Sequence, residues 1–408
     1  MTPDVIALIG TLDTKGEEYA YVRDRIERAG ASALLIDVGV LGKPTVTPHV
    51  TRDTVAAAAG RGLAELAAAG NRGEALSVMG TGAGVVLADL VDRGECAGAM
   101  AIGGSGGTSV AIRAFAGLPF GFPKLIVSTQ VASAGTSLGG TADVLLMSSV
   151  ADIAGLNRLT KTVLSNAAGA IVGAARSIRP GNGDAELVFA TMLGLTTEGV
   201  SAAAARVQEA GYEVVTFHAT GEGGRAMEGL VEPMSVRGIL DLTTVEIADE
   251  VVGGLKSSGP NRLTAAGGLG IPQVVSIGGT DMVRFGPRDS VPERFADRLL
   301  HSHNELVTLM RTTPEECHRI GGVIGARLAA SKGPVVLIVP AGGSSDVARV
   351  GGPFHDPAAD AAMLAGVQDA LGESGPEIVL IDTHINDPTF SDAAASRLLT
   401  MLERSARV

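Results

Sequence analysis

The chain has 408 residues, a net charge of −12, and 46% hydrophobic against 19% charged residues. That length predicts about two or three domains with sizeable cores, and the acidic balance excludes a broad nucleic-acid surface, which needs a basic patch. Aromatics are 3% with no Trp, so the cores must be built from Ala, Val, Ile and Leu, as in parallel sheets covered by Ala-rich helices.

In the first half, apolar runs at 5–10, 34–38, 76–80, 99–103, 125–128 and 144–147 read as short strands. Helical patterns at 14–29, 54–69 and 85–92 lie between several of them. Alternating β and α with fully apolar strands predicts an α/β fold with a doubly wound, mainly parallel sheet. The breaker-rich stretch Arg179-Pro-Gly-Asn-Gly-Asp184 marks a boundary. It divides the chain into a first α/β domain at 1–182 and a second α/β domain at 183–408. In that second domain strands are expected at 187–192, 214–217, 238–242, 274–277, 335–339 and 378–381. Helices are expected at 200–210, 245–255, 295–310, 314–330, 358–371 and 392–403. Ile26-Glu-Arg-Ala-Gly30 with Leu34-Leu-Ile-Asp37 echoes Val207-Gln-Glu-Ala-Gly211 with Val214-Val-Thr-Phe217, which points to an internal duplication of one α/β unit.

The first strand runs into Gly10-Thr-Leu-Asp-Thr-Lys-Gly16 and directly into a helix. Backbone N–H groups, the Thr11 hydroxyl, the Asp13 carboxylate and the Lys15 ammonium thus meet at one helix start, a setting suited to phosphate. Thr14 and Glu17 fit a capping box. That accounts for a well-started helix but not for Asp13 and Lys15 beside it. The equivalent Gly194-Leu-Thr-Thr-Glu-Gly199 lacks the Asp–Lys pair. Gly80-Thr81-Gly82-Ala83-Gly84 reads as a strand-to-helix loop, although GxGxG is a weak dinucleotide signal. Gly103-Gly104-Ser105-Gly106-Gly107-Thr108 has the same context and more donors, and Ser128 ends the next strand. Close packing of helices on the sheet is the plainer reason for glycines in such loops. Loops at the carboxyl ends of neighbouring parallel strands nevertheless converge on one crevice.

The second half gathers Asp281, His301, His303, Asp346, His355 and His384, several just after predicted strands. His and Asp can serve as acid, base or metal ligand, so these six are the candidate catalytic residues for a small anionic metabolite. Structural polar contacts are the competing account. His301 and His303, two apart on an expected helix, would not share a face. Cys96 and Cys317 form no CxxC, which fits a reducing cytoplasm. No apolar leader segment follows Met1, and the apolar runs read as too short or too broken to span a bilayer.

GTLDTKGEEYAYVRDRI, GTGAG, AIGGSGGT and the distal VVSIGGTDMVRFG, VPERF, HSHNELVTLMRTTPEE, GGPFHDP and HINDPTF together resemble the UPF0261, or Tm-1-like, family across essentially the whole chain. The resemblance implies Rossmann-like subdomains, binding of ATP and Mg2+, and a tendency to form a homodimer. It implies no settled reaction. By position, the nucleotide site would use Thr11, Asp13, Lys15, Gly80, Thr81, Gly82, Gly84 and the 103–108 loop, with Asp13 holding Mg2+ through the nucleotide. Two other roles stay open: an enzyme acting at an interdomain cleft with the second-half Asp and His residues, and a nucleotide-regulated interaction module.

Overall fold

The computed structural model describes residues 4–131, 133, 143–177, 185–372 and 375–405. The chain divides into two compact units, Met1–Gly181 and Asn182–Val408. The breaker segment expected to separate them, 179–184, lies outside the described residues.

The first unit is a five-stranded sheet of order β2-β1-β3-β4-β5. Its strands are β1 (Val5–Gly10), β2 (Ser32–Asp37), β3 (Gly98–Gly103), β4 (Lys124–Ser128) and β5 (Val144–Ser148), all parallel. Alternate side chains of each strand feed opposite cores: Ala7, Ile9, Ala99, Ala101 and Ile126 on one face, Ile6, Leu8, Met100, Leu125 and Val127 on the other. Burial of both faces is why these strands read as continuous apolar runs.

The second unit holds a six-stranded sheet of order β14-β13-β9-β8-β6-β7. It is built from β6 (Leu187–Met192), β7 (Glu213–His218), β8 (Gly238–Thr243), β9 (Gln273–Gly278), β13 (Val335–Pro340) and β14 (Glu377–Ile381), again all parallel. Counted within its own unit, each sheet begins 2-1-3-4-5, the winding that a duplicated unit gives. The second unit adds a three-stranded antiparallel sheet of β10 (Met282–Phe285), β11 (Leu300–Asn304) and β12 (Val307–Arg311), with β12 central.

Three expectations fail. The strand expected at 76–80 is interior to a 21-residue helix, Arg72–Asp92, started by Asn71, whose side chain accepts the Glu74 N–H. A short apolar run does not by itself separate a buried strand from a buried helix. The helix expected at 295–310 is instead the β11–β12 hairpin. Phe295, Leu299, Leu306 and Met310 mimic helical spacing, but pairing with β10 gives Thr308, Leu309 and Met310 a buried ladder. The helix expected at 54–69 breaks into Arg52–Ala58 and Leu63–Ala69, because Gly60 turns at φ 71.

The helix Arg72–Asp92 also corrects the reading of the apolar runs, since by length and composition it could cross a membrane. Here its buried residues, including Met79, Ala83, Leu87 and Leu90, join the core of the first unit. Its glycines set the approach distance. A Cβ on Gly82 would lie 1.9 Å from the Val55 carbonyl oxygen, whereas one on Gly169, in the helix Arg158–Arg176, would meet nothing within 4 Å. Gly82→Ala is expected to cost about 1–3 kcal/mol through overpacking, despite the gain in helix propensity. Gly169→Ala should stabilise by up to about 1 kcal/mol. Urea denaturation of the two variants checks the opposite signs.

Candidate functional site

An open sheet of order 2-1-3-4-5 binds ligands outside the carboxyl ends of its strands, where the winding reverses. In the first unit that point lies between β1 and β3. Their pairing runs from Ile6–Ile9 to Gly98–Ala101. Beyond it the Tyr19 hydroxyl takes over: it accepts the Ile102 N–H at 2.8 Å and lies against the Ile9 and Ile102 carbonyls. Burial pushes the Tyr19 phenol well up, so it stays protonated. Gly10 is obligatory here, since a Cβ would lie 2.0 Å from the Tyr19 ring.

The turn after β1 differs from expectation. The helix Gly16–Arg28 has Lys15 as its N-cap and no side-chain cap, so Thr14 and Glu17 form no capping box. The Thr14 hydroxyl bonds Thr11 instead, at 2.8 Å. Lys15 Nζ donates to the Ile153 carbonyl and Glu18 Oε1 accepts the Gly155 N–H at 2.8 Å. One helix face thereby clasps the loop after β5. Asp13 Oδ2 accepts the Gly42 N–H at 3.0 Å, while Oδ1 is buried without a partner.

The 103–108 turn does join strand to helix. Gly104 is the N-cap of Ser105–Phe115 and no side chain caps it. Sterics account for two of its glycines: a Cβ on Gly103 would lie 2.9 Å from Gly107 Cα, and one on Gly107 3.1 Å from the Ile102 oxygen. Gly104 and Gly106 have no such contact below 3.4 Å. Thr108 and Ser128 share a buried 2.7 Å hydroxyl contact that fixes the two loop starts to each other. A cleft of about 400 Å³ opens beside Ser105, Thr108, Arg113 and Gln130. A second, of about 330 Å³, is lined by Thr129 and residues 148–152. In it Val150 sits at φ 65, an outlier for a β-branched residue.

Gly80, Thr81, Gly82 and Gly84 are not in a loop. They lie inside the helix Arg72–Asp92. Gly80 and Gly84 would place a Cβ 3.1 Å from the Arg113 side chain and 3.3 Å from the Ala114 oxygen, and the Thr81 hydroxyl donates to the Ser77 carbonyl. Helix packing explains this motif.

The second-unit candidates are engaged separately. Asp281 is buried and accepts the Ser344 and Ser345 hydroxyls at 2.8 and 2.9 Å, tying the loop after β9 to that after β13. Burial raises its carboxyl above the ordinary value, against the pull of Arg311 and the two serines. His301 and His303 lie on β11 rather than a helix, and His301 packs edge-on against Phe354. Asp346 pairs with Arg349 at 3.3 Å. His384 Nδ1 accepts the Asn386 N–H at 3.2 Å, and His355 is exposed. Among the described residues no group of three His, Cys, Asp or Glu is placed to hold a metal.

Four buried arginines, Arg52, Arg262, Arg284 and Arg311, escaped the sequence reading, and two of them bind an Asp inside a strand. Arg262 is fully buried and bonds Asp241 at 2.7 Å and Glu246 at 2.7 Å, with Glu228 at 3.3 Å. Burial alone would raise the Glu246 carboxyl, yet the Arg262 charge and hydrogen bonds leave it lowered. Arg52 is held by Asp37 at 2.8 Å. A lone Asp inside each apolar strand, Asp37 in SALLID and Asp241 in GILDLT, was the available signal, since a buried carboxylate demands a partner.

Two parallel, doubly wound sheets, one carrying an uncapped glycine turn at its switch point, define a two-unit Rossmann-like α/β protein. The chain belongs to the UPF0261 family: its residues 4–180 match the N-terminal domain, and 185–402 the C-terminal domain, of a family described as uncharacterised. A UPF0261 protein of Clostridium tetani is 42% identical over 98% of this chain and 99% of its own length. One of Rhizobium meliloti is 40% identical over 96% and 97%. The ToMV resistance protein Tm-1(GCR237) of Solanum lycopersicum is 39% identical over 83% of this chain, which spans 46% of that longer protein.

The raised Asp281 carboxyl has a definite sign. A folded pKa above the unfolded value of about 3.9 gives a stabilising contribution that is complete below the unfolded value and lost as pH rises through the folded one. Asp281→Asn lacks this contribution. Urea melts from about pH 4 to 7.5 should show the stability difference moving in favour of the variant as pH rises.

Proposed function

We propose that the first unit binds ATP as its magnesium complex at the carboxyl edge of its sheet, with phosphate at the start of the helix Ser105–Phe115. The observation that carries this reading is the uncapped turn after β3: among the described residues no side chain takes its first N–H groups, two of its glycines lack a steric reason, and a cleft opens beside it. Free N–H groups and the helix dipole favour an anion there. Lys15, which spends one donor on Ile153, keeps further ammonium protons for phosphate oxygens.

The protein offers little to a bare cation. Asp13 Oδ1 is the unpaired carboxylate oxygen at this edge, so Mg2+ would arrive on the phosphates, its usual mode in nucleotide sites. The same chemistry suits a cytoplasmic protein, and a homodimer is compatible with it. Magnesium when bound would screen phosphate charge. The residues of this chain would bind and orient the nucleotide.

Isothermal titration of ATP with Mg2+ tests the reading. Lys15→Ala should weaken binding about tenfold, the loss of one charge-assisted hydrogen bond. Ser105→Asp separates fold from function: an acidic residue in the first turn stabilises a helix by about 0.3–1 kcal/mol, yet it repels a phosphate. Its melting temperature should hold or rise while ATP affinity falls. Absence of binding in the wild type overturns the proposal.

A further inference from the structure

The loops after β1 and β2 contain a built polar site that the phosphate reading does not use. Asp37 is saturated: it accepts the Leu12 N–H at 3.2 Å and the Gly39 N–H at 2.9 Å on one oxygen and Arg52 Nε at 2.8 Å on the other. It thereby fixes the Arg52 guanidinium, which is about nine-tenths buried. Arg52 Nη1 donates to the Gly42 carbonyl, and Asp13 Oδ2 accepts the N–H of that same Gly42. One glycine is therefore gripped by an arginine from one side of its peptide chain and a carboxylate from the other.

Both groups are left incomplete. Arg52 Nη2 and Asp13 Oδ1 are buried, and neither has a partner. A buried donor or acceptor of a charged group is costly to leave unpaired, and two of opposite character on one loop residue call for a group that both donates and accepts. Two glycines admit the Asp13 side chain so closely. A Cβ on Gly39 would lie 2.7 Å from Asp13 Oδ1, and one on Gly42 3.1 Å from Asp13 Cβ. The tip of the covering loop is exposed, with Leu41 at 86%, while Val40 beside it packs against the core of the first unit.

We infer that Asp13 and Arg52 form a sugar clamp: the unpaired carboxylate oxygen accepts from, and the unpaired guanidinium nitrogen donates to, the ribose hydroxyls of the nucleotide. This rests on the nucleotide reading above. A hydroxyl can donate to the carboxylate and accept from the guanidinium. A metal ion meets only the carboxylate, and the neighbouring guanidinium opposes it. The spacing also fits. β2 and β3 flank β1 in the sheet, so the clamp and the Gly104–Ser105 turn stand about two strand spacings, roughly 10 Å, apart. That is the reach of a nucleoside triphosphate from sugar to outer phosphates. The clamp removes Asp13 from the metal role and makes it a specificity residue.

Calorimetric titration of ATP, 2′-deoxyATP and 3′-deoxyATP, each with Mg2+, into the full chain tests the inference. The wild type should bind ATP about tenfold more tightly than at least one deoxynucleotide, the worth of a hydrogen bond to a charged group. Asp13→Asn should shrink that ratio to under about threefold, with a melting temperature that reports an intact fold. Arg52→Lys, which keeps a cation beside Asp37, should do the same. Equal wild-type affinity for all three nucleotides overturns the clamp and leaves the nucleotide reading standing. So does an Asp13→Asn variant that discriminates fully, or one whose only change is the loss of Mg2+ dependence, which would make Asp13 a metal ligand. No binding of any nucleotide overturns both.

Discussion

The first unit depends on a single phenol. β1 and β3 must part for a crevice to exist, yet each strand leaves backbone groups that need partners where pairing stops. Tyr19, on the helix that follows β1, reaches back and satisfies Ile102 N–H while lying against two carbonyls. Its ring fills the space beside Gly10. The fork is thereby closed at its base and open above. The loops on either side of β1 then hang from this point: the 103–108 turn from the end of β3, and the Asp13–Asp37–Arg52 cluster from β1 and β2.

The second unit uses the same winding for another end. Here too the corresponding loops are tied to one another, by other groups. Asp281 joins two of them through Ser344 and Ser345, and Asn386 spans from the Gly199 N–H to the Leu195 carbonyl. Arg262 sits among Asp241, Glu246 and Glu228 beneath them. Buried ion pairs of this kind add little net stability over apolar packing, but removing one partner is severe. Such a network holds one arrangement of loops against others. Two sheets with one winding therefore differ in which groups tie their carboxyl edges.

The strand–helix alternation was legible because both faces of each sheet are buried, which writes uninterrupted apolar runs into the chain. The strand-to-helix turn at 103–108 was legible from its glycines. What failed had physical causes. The GTGAG string carries the letters of a turn, but its glycines answer to Val55 and Ala114 on neighbouring helices, which no local pattern reveals. The hairpin of β11 and β12 was hidden because its apolar residues fall at helical intervals, and the β10 strand that pairs with it lies outside that local pattern. The arginine partners of Asp37 and Asp241 were hidden too, since a buried carboxylate announces that it needs a cation and not which one.

The scarcity of aromatic side chains has a practical side. With no Trp and only 3 Tyr in the chain, its near-ultraviolet absorption and emission come almost wholly from Tyr19, Tyr21 and Tyr212. One of those three phenols, Tyr19, is buried where β1 and β3 stop pairing. The protein thus carries its own optical probe at the place where the sheet opens, and a change in the environment of that crevice is written into the spectrum of the unlabelled molecule.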